Sequence, residues 1–257
     1  MPPVQIASAG SAQAVIRQIA EAFCTAHDCR FALRHGPAGL LAQQILDGVP
    51  TDIYISASSS GPERLRQAGL FGAHRVIARN RMVLVARPGL SFADDDPLSW
   101  LAVPGLKLAT STPGADPSGD YAAAFLRALM RDKPVLGQDV ASRTAALFGA
   151  SLPDPSNPSP SPAARIVRDG RADLLVVYET SAQRIVRELP GARAIPLPDT
   201  LSPPTQVCAS LRVGGPDGAR ALFEHLSGET AAKIFRGSGF QGPEATQQQV
   251  ADRHPEE

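Results

Sequence analysis

The sequence predicts an α/β protein of two lobes, each a mixed, mostly parallel sheet flanked by helices. Three observations carry that expectation. Short apolar runs alternate with helically spaced apolar residues along residues 4–55, which favours parallel strands joined by right-handed crossovers. The alternation resumes at Lys107 and continues to Arg236. The apolar run Met82–Ala86 is long enough to cross from one lobe to another, with a return near Pro196. Lobe 1 is then residues 1–81 and 198–257, lobe 2 is residues 82–197, and two crossovers, near Asn80 and Pro196, make a two-segment hinge.

Residues 4–7 read as the first strand, and Ser8-Ala9-Gly10-Ser11 as a turn of small residues. Over residues 12–26, Ala12, Val15, Ile16, Ile19, Ala20 and Phe23 recur at helical spacing. Residues 30–33 form a second strand, 35–39 a loop, and 40–46 a second helix with apolar Leu41, Ile45 and Leu46. Residues 53–55 are a third strand, followed by a short helix. In the second lobe, residues 107–110 are a strand and 119–131 a helix with apolar Tyr121, Ala122, Phe125, Leu126 and Leu129. Residues 139–148 are expected to be another helix and 164–168 a helical turn. Leu174–Tyr178 is a buried strand, residues 194–197 return the chain, and 206–211 add a strand. Asp217–Leu226 and residues 228–236 are closing helices, ended by the C-cap sequence Gly237-Ser238-Gly239-Phe240. Five prolines between Pro153 and Pro162 exclude a sheet or helix interior from residues 151–162, which read as a polyproline-like insertion on lobe 2. The polar tail, 242–257, is expected to fray.

A chain of 257 residues, 43% hydrophobic, holds one large or two moderate cores. Its formal charge is +0, from 25 basic and 25 acidic residues, which argues against a nucleic-acid partner. No apolar run is long enough for a membrane helix. The first residues show neither a basic region nor an apolar core of a leader, so the chain is expected to be cytoplasmic or to start after a cleavage site. Three cysteines leave at least one thiol free. Cys24 and Cys29 bracket a helix-to-strand turn where a disulfide fits; with His27 they also make three metal ligands, a weak zinc signal without a fourth.

Three strand-to-helix loops carry small hydrogen-bonding residues: 8–11, 35–39 and 116–119. In an open α/β sheet ligands sit beyond the carboxyl ends of strands. Helix N-termini there offer free N–H groups to anions. The same residue types are also ordinary caps and turns. Enzyme signatures are missing: there is no G-x-S-x-G elbow and no Walker phosphate loop, and the five histidines are scattered.

Pro50-Thr51-Asp52-Ile53-Tyr54-Ile55-Ser56-Ala57-Ser58 resembles the P-A-D-hydrophobic-F-I-S-A-D strand of the periplasmic molybdate- and tungstate-binding proteins of ABC importers. Arg79-Asn80-Arg81-Met82-Val83-Leu84-Val85-Ala86 resembles their R-N-x-hydrophobic-V-L-V-A crossover. Asp116-Pro117-Ser118-Gly119-Asp120-Tyr121-Ala122 is similar to their third loop, Gln138-Asp139-Val140 to their E-D-V turn, and Val176-Val177-Tyr178 to their G-I-V-Y strand. The resemblance covers most of residues 4–240. It implies the type II periplasmic binding protein fold and no enzymatic activity. It also implies no cofactor, and no metal site beyond the oxyanion itself. The implied partners are a small anion and a membrane permease, and the implied location is the periplasm, as a monomer. The ligand-binding residues it implies are Gly10, Ser11, Ala38, Gly39, the Ser118 and Val140 N–H groups, and the Tyr178 hydroxyl.

One departure is plain: the family's Ser-Ser-Gly loop becomes Pro37-Ala38-Gly39, so a serine is missing. Arg34 and His35 precede that loop and either face the cleft, favouring a larger anion such as an organic carboxylate, or are surface charges. Asp116 and Glu179 resemble the acidic pair of archaeal tungstate binders; the simpler reading makes Asp116 an N-cap and Glu179 a solvent-facing residue.

Overall fold

The computed structural model describes residues 2–152, 160–202 and 204–243. The centre of the proline-rich stretch and nearly all of the tail lie outside them. In chain order the strands are β1 (Val4–Ala9), β2 (Phe31–Gly36), β3 (Ile53–Ser56), β4 (Arg75–Asn80), β5 (Met82–Ala86), β6 (Leu108–Ser111), β7 (Thr144–Phe148), β8 (Leu174–Tyr178), β9 (Arg193–Pro196) and β10 (Thr205–Leu211). The helices are α1 (Gln13–His27), α2 (Ala38–Leu46), α3 (Ser60–Gln67), α4 (Pro97–Ala102), α5 (Pro117–Asp132), α6 (Pro134–Ser142), α7 (Pro162–Arg168), α8 (Glu179–Glu188), α9 (Asp217–Leu226) and α10 (Glu229–Gly237).

Two five-stranded sheets result, ordered β2-β1-β3-β10-β4 and β7-β6-β8-β5-β9. In the first, β1 runs parallel to β2 and β3, while β10 is antiparallel to β3 and β4. In the second, β6 runs parallel to β7 and β8, while β5 is antiparallel to β8 and β9. Central strands are apolar along their length because both faces are covered: every residue of β3, β5 and β8 is buried. Arg81 alone separates β4 from β5, so the first crossing between sheets takes one residue. The second runs from β9 to β10.

Helix α1 buries Val15, Ile16, Ile19, Ala20, Phe23 and Cys24 on one face. That face joins β1, β3, α9 and α10 in one core. Burying each large aliphatic or aromatic side chain contributes about 1.5–3 kcal/mol. A second core lies under α7 and α8. A third spans the lobe boundary, from Ala7 and Tyr54 to Met82, Leu84 and Tyr178. Among the described residues no helix is long and apolar enough to cross a membrane.

One expectation fails. Residues 139–148 are not a helix: α6 ends at Ser142, and Thr144–Phe148 is β7, an edge strand paired with β6. The alanines and leucine of that stretch suit a helix, but pairing to a sheet edge overrides weak local propensity. The Arg143 guanidinium, which donates to the carbonyls of Leu101 and Leu106, pins the junction.

Candidate functional site

A cavity of about 870 Å³ opens between the lobes. It lies at the carboxyl ends of β1, β2, β6, β7 and β8, where the following loops and helix starts converge. From lobe 1, Ala9, Gly10 and Ser11 line it through the 3-10 turn Gly10–Ala12, joined by Gly36 and Pro37. From lobe 2 come Asp116 and Ser118 at the start of α5, Phe148 and Gly149 after β7, and Tyr178, Thr180 and Ser181 at the start of α8.

Of the residues implied by resemblance, the structure brings Gly10, Ser11, Ser118 and Tyr178 into one cavity. Ala38 and Gly39 lie beside it without lining it. The Ala38 side chain is buried in the core, and its carbonyl accepts a hydrogen bond from the Tyr54 hydroxyl at 2.7 Å. Gly39 meets lobe 2: a Cβ there would stand 2.5 Å from the Gly114 carbonyl oxygen and 2.7 Å from that of Ala115.

Val140 is elsewhere. It is fully buried as the seventh residue of α6, where an N–H belongs to the helix ladder and not to the four free groups of the first turn. After β7 the cavity is lined by Gly149 and its neighbours, together with Ser161 at the start of α7. Recognising residues 144–148 as a strand would have pointed there by the same strand-to-helix rule.

Asp116 caps α5. Its Oδ1 accepts from the Ser118 N–H at 3.2 Å and its Oδ2 from the Ser111 hydroxyl at 2.5 Å. The Ser118 N–H expected to face a ligand is thus engaged by the cap. Burial pushes the Asp116 carboxyl above its ordinary range, against the pull of those two hydrogen bonds. Gly149 sits over the pair with φ +76°, and a Cβ would stand 2.0 Å from Ser111 Oγ, so only glycine fits. The Tyr178 hydroxyl donates across the lobes to the Ala57 carbonyl at 3.4 Å. Burial, and then the charge of Asp116, raise its pKa well above the usual phenol value, so it stays a donor.

The hinge is bonded to this site. Asn80 Nδ2 donates to Thr180 Oγ1 at 2.8 Å, and its N–H to Thr205 Oγ1 at 3.0 Å, joining one crossover to α8 and to the other crossover's end. Arg81 pairs with Glu179 (Nη2 to Oε1, 2.6 Å). Glu179 therefore does not stand with Asp116 as an acidic pair; it holds the crossover. Arg34 does not reach the cleft either: it donates to Gln44, Pro50 and Thr51 within lobe 1. His35 ends its strand beside the cavity-lining Gly36. Burial, then Arg17 of α1 and Arg184 of α8, hold its pKa below the ordinary imidazole value.

Cys24 and Cys29 form a disulfide, which removes them as zinc ligands. Among the described residues no three His, Cys, Asp or Glu side chains gather to hold a metal ion.

The family model for bacterial extracellular solute-binding protein matches residues 4–241. The molybdate-binding protein ModA of Azotobacter vinelandii is 26% identical over 242 residues, covering 92% of this chain and 89% of that protein. Among solved structures, the periplasmic molybdate-binding protein of A. vinelandii aligns with a TM-score of 0.73 at 21% identity, covering 94% of this chain and 100% of that one. The sulfate-binding protein SubI from Mycobacterium tuberculosis aligns with a TM-score of 0.75 at 16% identity, covering 100% of this chain and 92% of that one.

Proposed function

This chain belongs to the bacterial extracellular solute-binding proteins, and on that premise we propose that it is a periplasmic receptor for a small oxyanion, molybdate or tungstate, which it delivers to the permease of an ABC importer as a monomer. The observation that carries the reading is the convergence of Gly10, Ser11, Ser118 and Tyr178 on one interlobe cavity. Serine hydroxyls, turn N–H groups and a buried phenol are donors, and donors converging on an interlobe cleft suit an anion. The relative named for molybdate supports the choice among oxyanions.

A second reading is a small organic anion. The specific observation favouring it is Ala38, whose buried methyl supplies no hydroxyl to the cavity. Calorimetric titration of the purified chain with molybdate, tungstate, sulfate and a carboxylate panel tests the choice. Saturable one-to-one heat with molybdate or tungstate, stronger than with sulfate, is the expected result. Heat with carboxylates alone would replace the first reading by the second.

A further inference from the structure

Two carboxylates, Asp116 and Asp169, line the cavity that receives the anion. Asp169 is exposed and paired with Arg168 at 2.8 Å, so its charge is met on the surface. Asp116 is held by neutral donors, the Ser118 N–H at 3.2 Å on Oδ1 and the Ser111 hydroxyl at 2.5 Å on Oδ2. An ionised carboxylate and an anion in one cavity repel each other. Seating an anion therefore favours the neutral form of Asp116, and that form needs a place for its proton.

The end of β6 supplies it. The buried Ser111 hydroxyl has two acceptors in reach, Asp116 Oδ2 and the Phe148 carbonyl at 3.4 Å. With Asp116 ionised, the hydroxyl donates to the carboxylate. With Asp116 protonated at Oδ2, the carboxyl donates to Ser111 Oγ and the hydroxyl turns to the Phe148 carbonyl, while Oδ1 keeps the Ser118 N–H. Each form leaves no buried donor without a partner. Gly149 keeps the space open: a Cβ there would stand 2.0 Å from Ser111 Oγ and 3.1 Å from Asp116 Oδ2. The neighbours agree in sign. Burial first, and then the charge of Asp120 on the next turn of α5, oppose ionisation of Asp116. Tyr178, at the end of β8, is a neutral phenol that feels the Asp116 charge. From α7 and α8, Arg165, Arg184 and Arg187 line the same cavity. His35, beside Gly36 on lobe 1, is the neighbouring imidazole.

We propose that Asp116 is a proton-binding residue of the anion site: an oxyanion entering the cleft takes up a proton from solvent with it, held between Asp116 Oδ2 and Ser111 Oγ. The inference rests on the reading of the cleft as a receptor for molybdate or tungstate, and it adds the stoichiometry of binding. The bound anion raises the proton affinity of Asp116 further, so the complex holds more protons than the free protein and affinity falls as pH rises. An asparagine at this position keeps an oxygen for the Ser118 N–H and offers an N–H to Ser111 Oγ. It stands in for the protonated carboxyl at every pH.

Calorimetric titration with molybdate from pH 6 to pH 8 tests it, each pH being run in two buffers of different ionisation heat so that protons are counted. Molybdate itself stays fully ionised over this range. The wild-type chain is expected to take up as much as one proton per anion and to lose affinity with rising pH, at most about tenfold per pH unit, the limit for one linked proton. Asp116→Asn is expected to bind with no uptake and with an affinity that no longer varies with pH. His35→Gln and the distant Asp132→Asn are expected to keep the wild-type count. Molybdate binding without proton uptake in the wild-type chain overturns this inference and leaves the oxyanion receptor standing. Uptake that persists in Asp116→Asn, or that vanishes in His35→Gln, assigns the proton to another group and also overturns it. Absence of molybdate heat at every pH overturns the inference and the molybdate reading together.

Discussion

Gly39 of α2 and Gly114 of lobe 2 touch backbone to backbone, so closely that a methyl group on Gly39 would stand 2.5 Å from the Gly114 carbonyl oxygen. No ordinary Cβ contact is that short, and the atom in the way is backbone, which cannot swing aside. The contact joins the lobes beside the cavity, next to the buried Ala38 that Tyr54 holds. It makes Gly39 a residue of lobe closure, where glycine is required by space.

Gly39→Ala therefore separates folding from closure. Alanine in the first turn of α2 favours the helix by up to about 1 kcal/mol, so thermal stability should hold or rise. Lobe approach should suffer. Small-angle scattering is expected to show a larger radius of gyration with saturating ligand than in wild type, and calorimetry a tenfold or greater loss of affinity. Wild-type compaction and affinity in the alanine variant would show that the contact gives way freely.

Tyr54→Phe tests the support beneath the same helix. The hydroxyl is buried and donates at 2.7 Å to the Ala38 carbonyl. A net contribution of about 1 kcal/mol is ordinary for such a bond, which corresponds to a fall in Tm of roughly 2–4 °C for a chain of this size. Differential scanning calorimetry reads it, and an unchanged Tm would remove the bond from the account.

Asp116 gives a pH dependence with a definite sign. Burial raises its folded-state pKa above the unfolded value of about 3.9. A carboxyl shifted upward contributes stability that is fully present below the unfolded pKa and lost as pH rises through the folded one. Asp116→Asn keeps an oxygen for the Ser118 N–H and does not titrate. The Tm of wild type minus that of Asp116→Asn should therefore fall as pH is raised from 4 towards 8. A difference that stays constant would mean that Asp116 titrates alike in the folded and unfolded chain.

Much of the fold could be read from residue order, for reasons visible in individual elements. β5 and β8 are unbroken apolar runs, and β3 is apolar up to Ser56, because both of their faces are covered. The period of α1 matches the face it buries. β7 could not be read this way: Thr144-Ala145-Ala146-Leu147-Phe148 lies at a sheet edge with no fully buried residue, and its strand character comes from β6. Val140, expected at the cavity from the Gln138-Asp139-Val140 resemblance, is instead buried in α6. That Ser11, Ser118 and Tyr178 line one cavity followed from the family resemblance together with their places at strand and helix ends. The crowding of Gly39 against Gly114 was not legible, because it exists only between lobes.

The cysteines give a chemical count. Cys24 and Cys29 are paired, and Cys208 is a buried thiol whose pKa burial raises to about 12. The folded protein should show almost no reaction with a thiol reagent at pH 8. Denatured without reductant it should show one thiol, and denatured after reduction three, which uses all the cysteines of the sequence. Three thiols without reductant would mean that the Cys24–Cys29 bond does not form.

Tyr178 carries the last prediction. It closes β8, lines the cavity, and reaches across the lobes to the Ala57 carbonyl at a long 3.4 Å. A neutral carbonyl at that distance is a weak acceptor, whereas an anion seated between the lobes would be a strong one. The hydroxyl therefore gains more from an occupied cavity than it holds in the interlobe contact. Tyr178→Phe should cost little stability but lower anion affinity by roughly tenfold to a hundredfold, the worth of a hydrogen bond to a charged partner at about 1.5–3 kcal/mol. Ser11→Ala should act in the same direction with a smaller loss, because the turn's backbone N–H groups remain. Thermal melts and calorimetric titrations of the two variants together decide the matter. Lost stability with unchanged affinity would place Tyr178 in the interlobe packing and outside the ligand's reach.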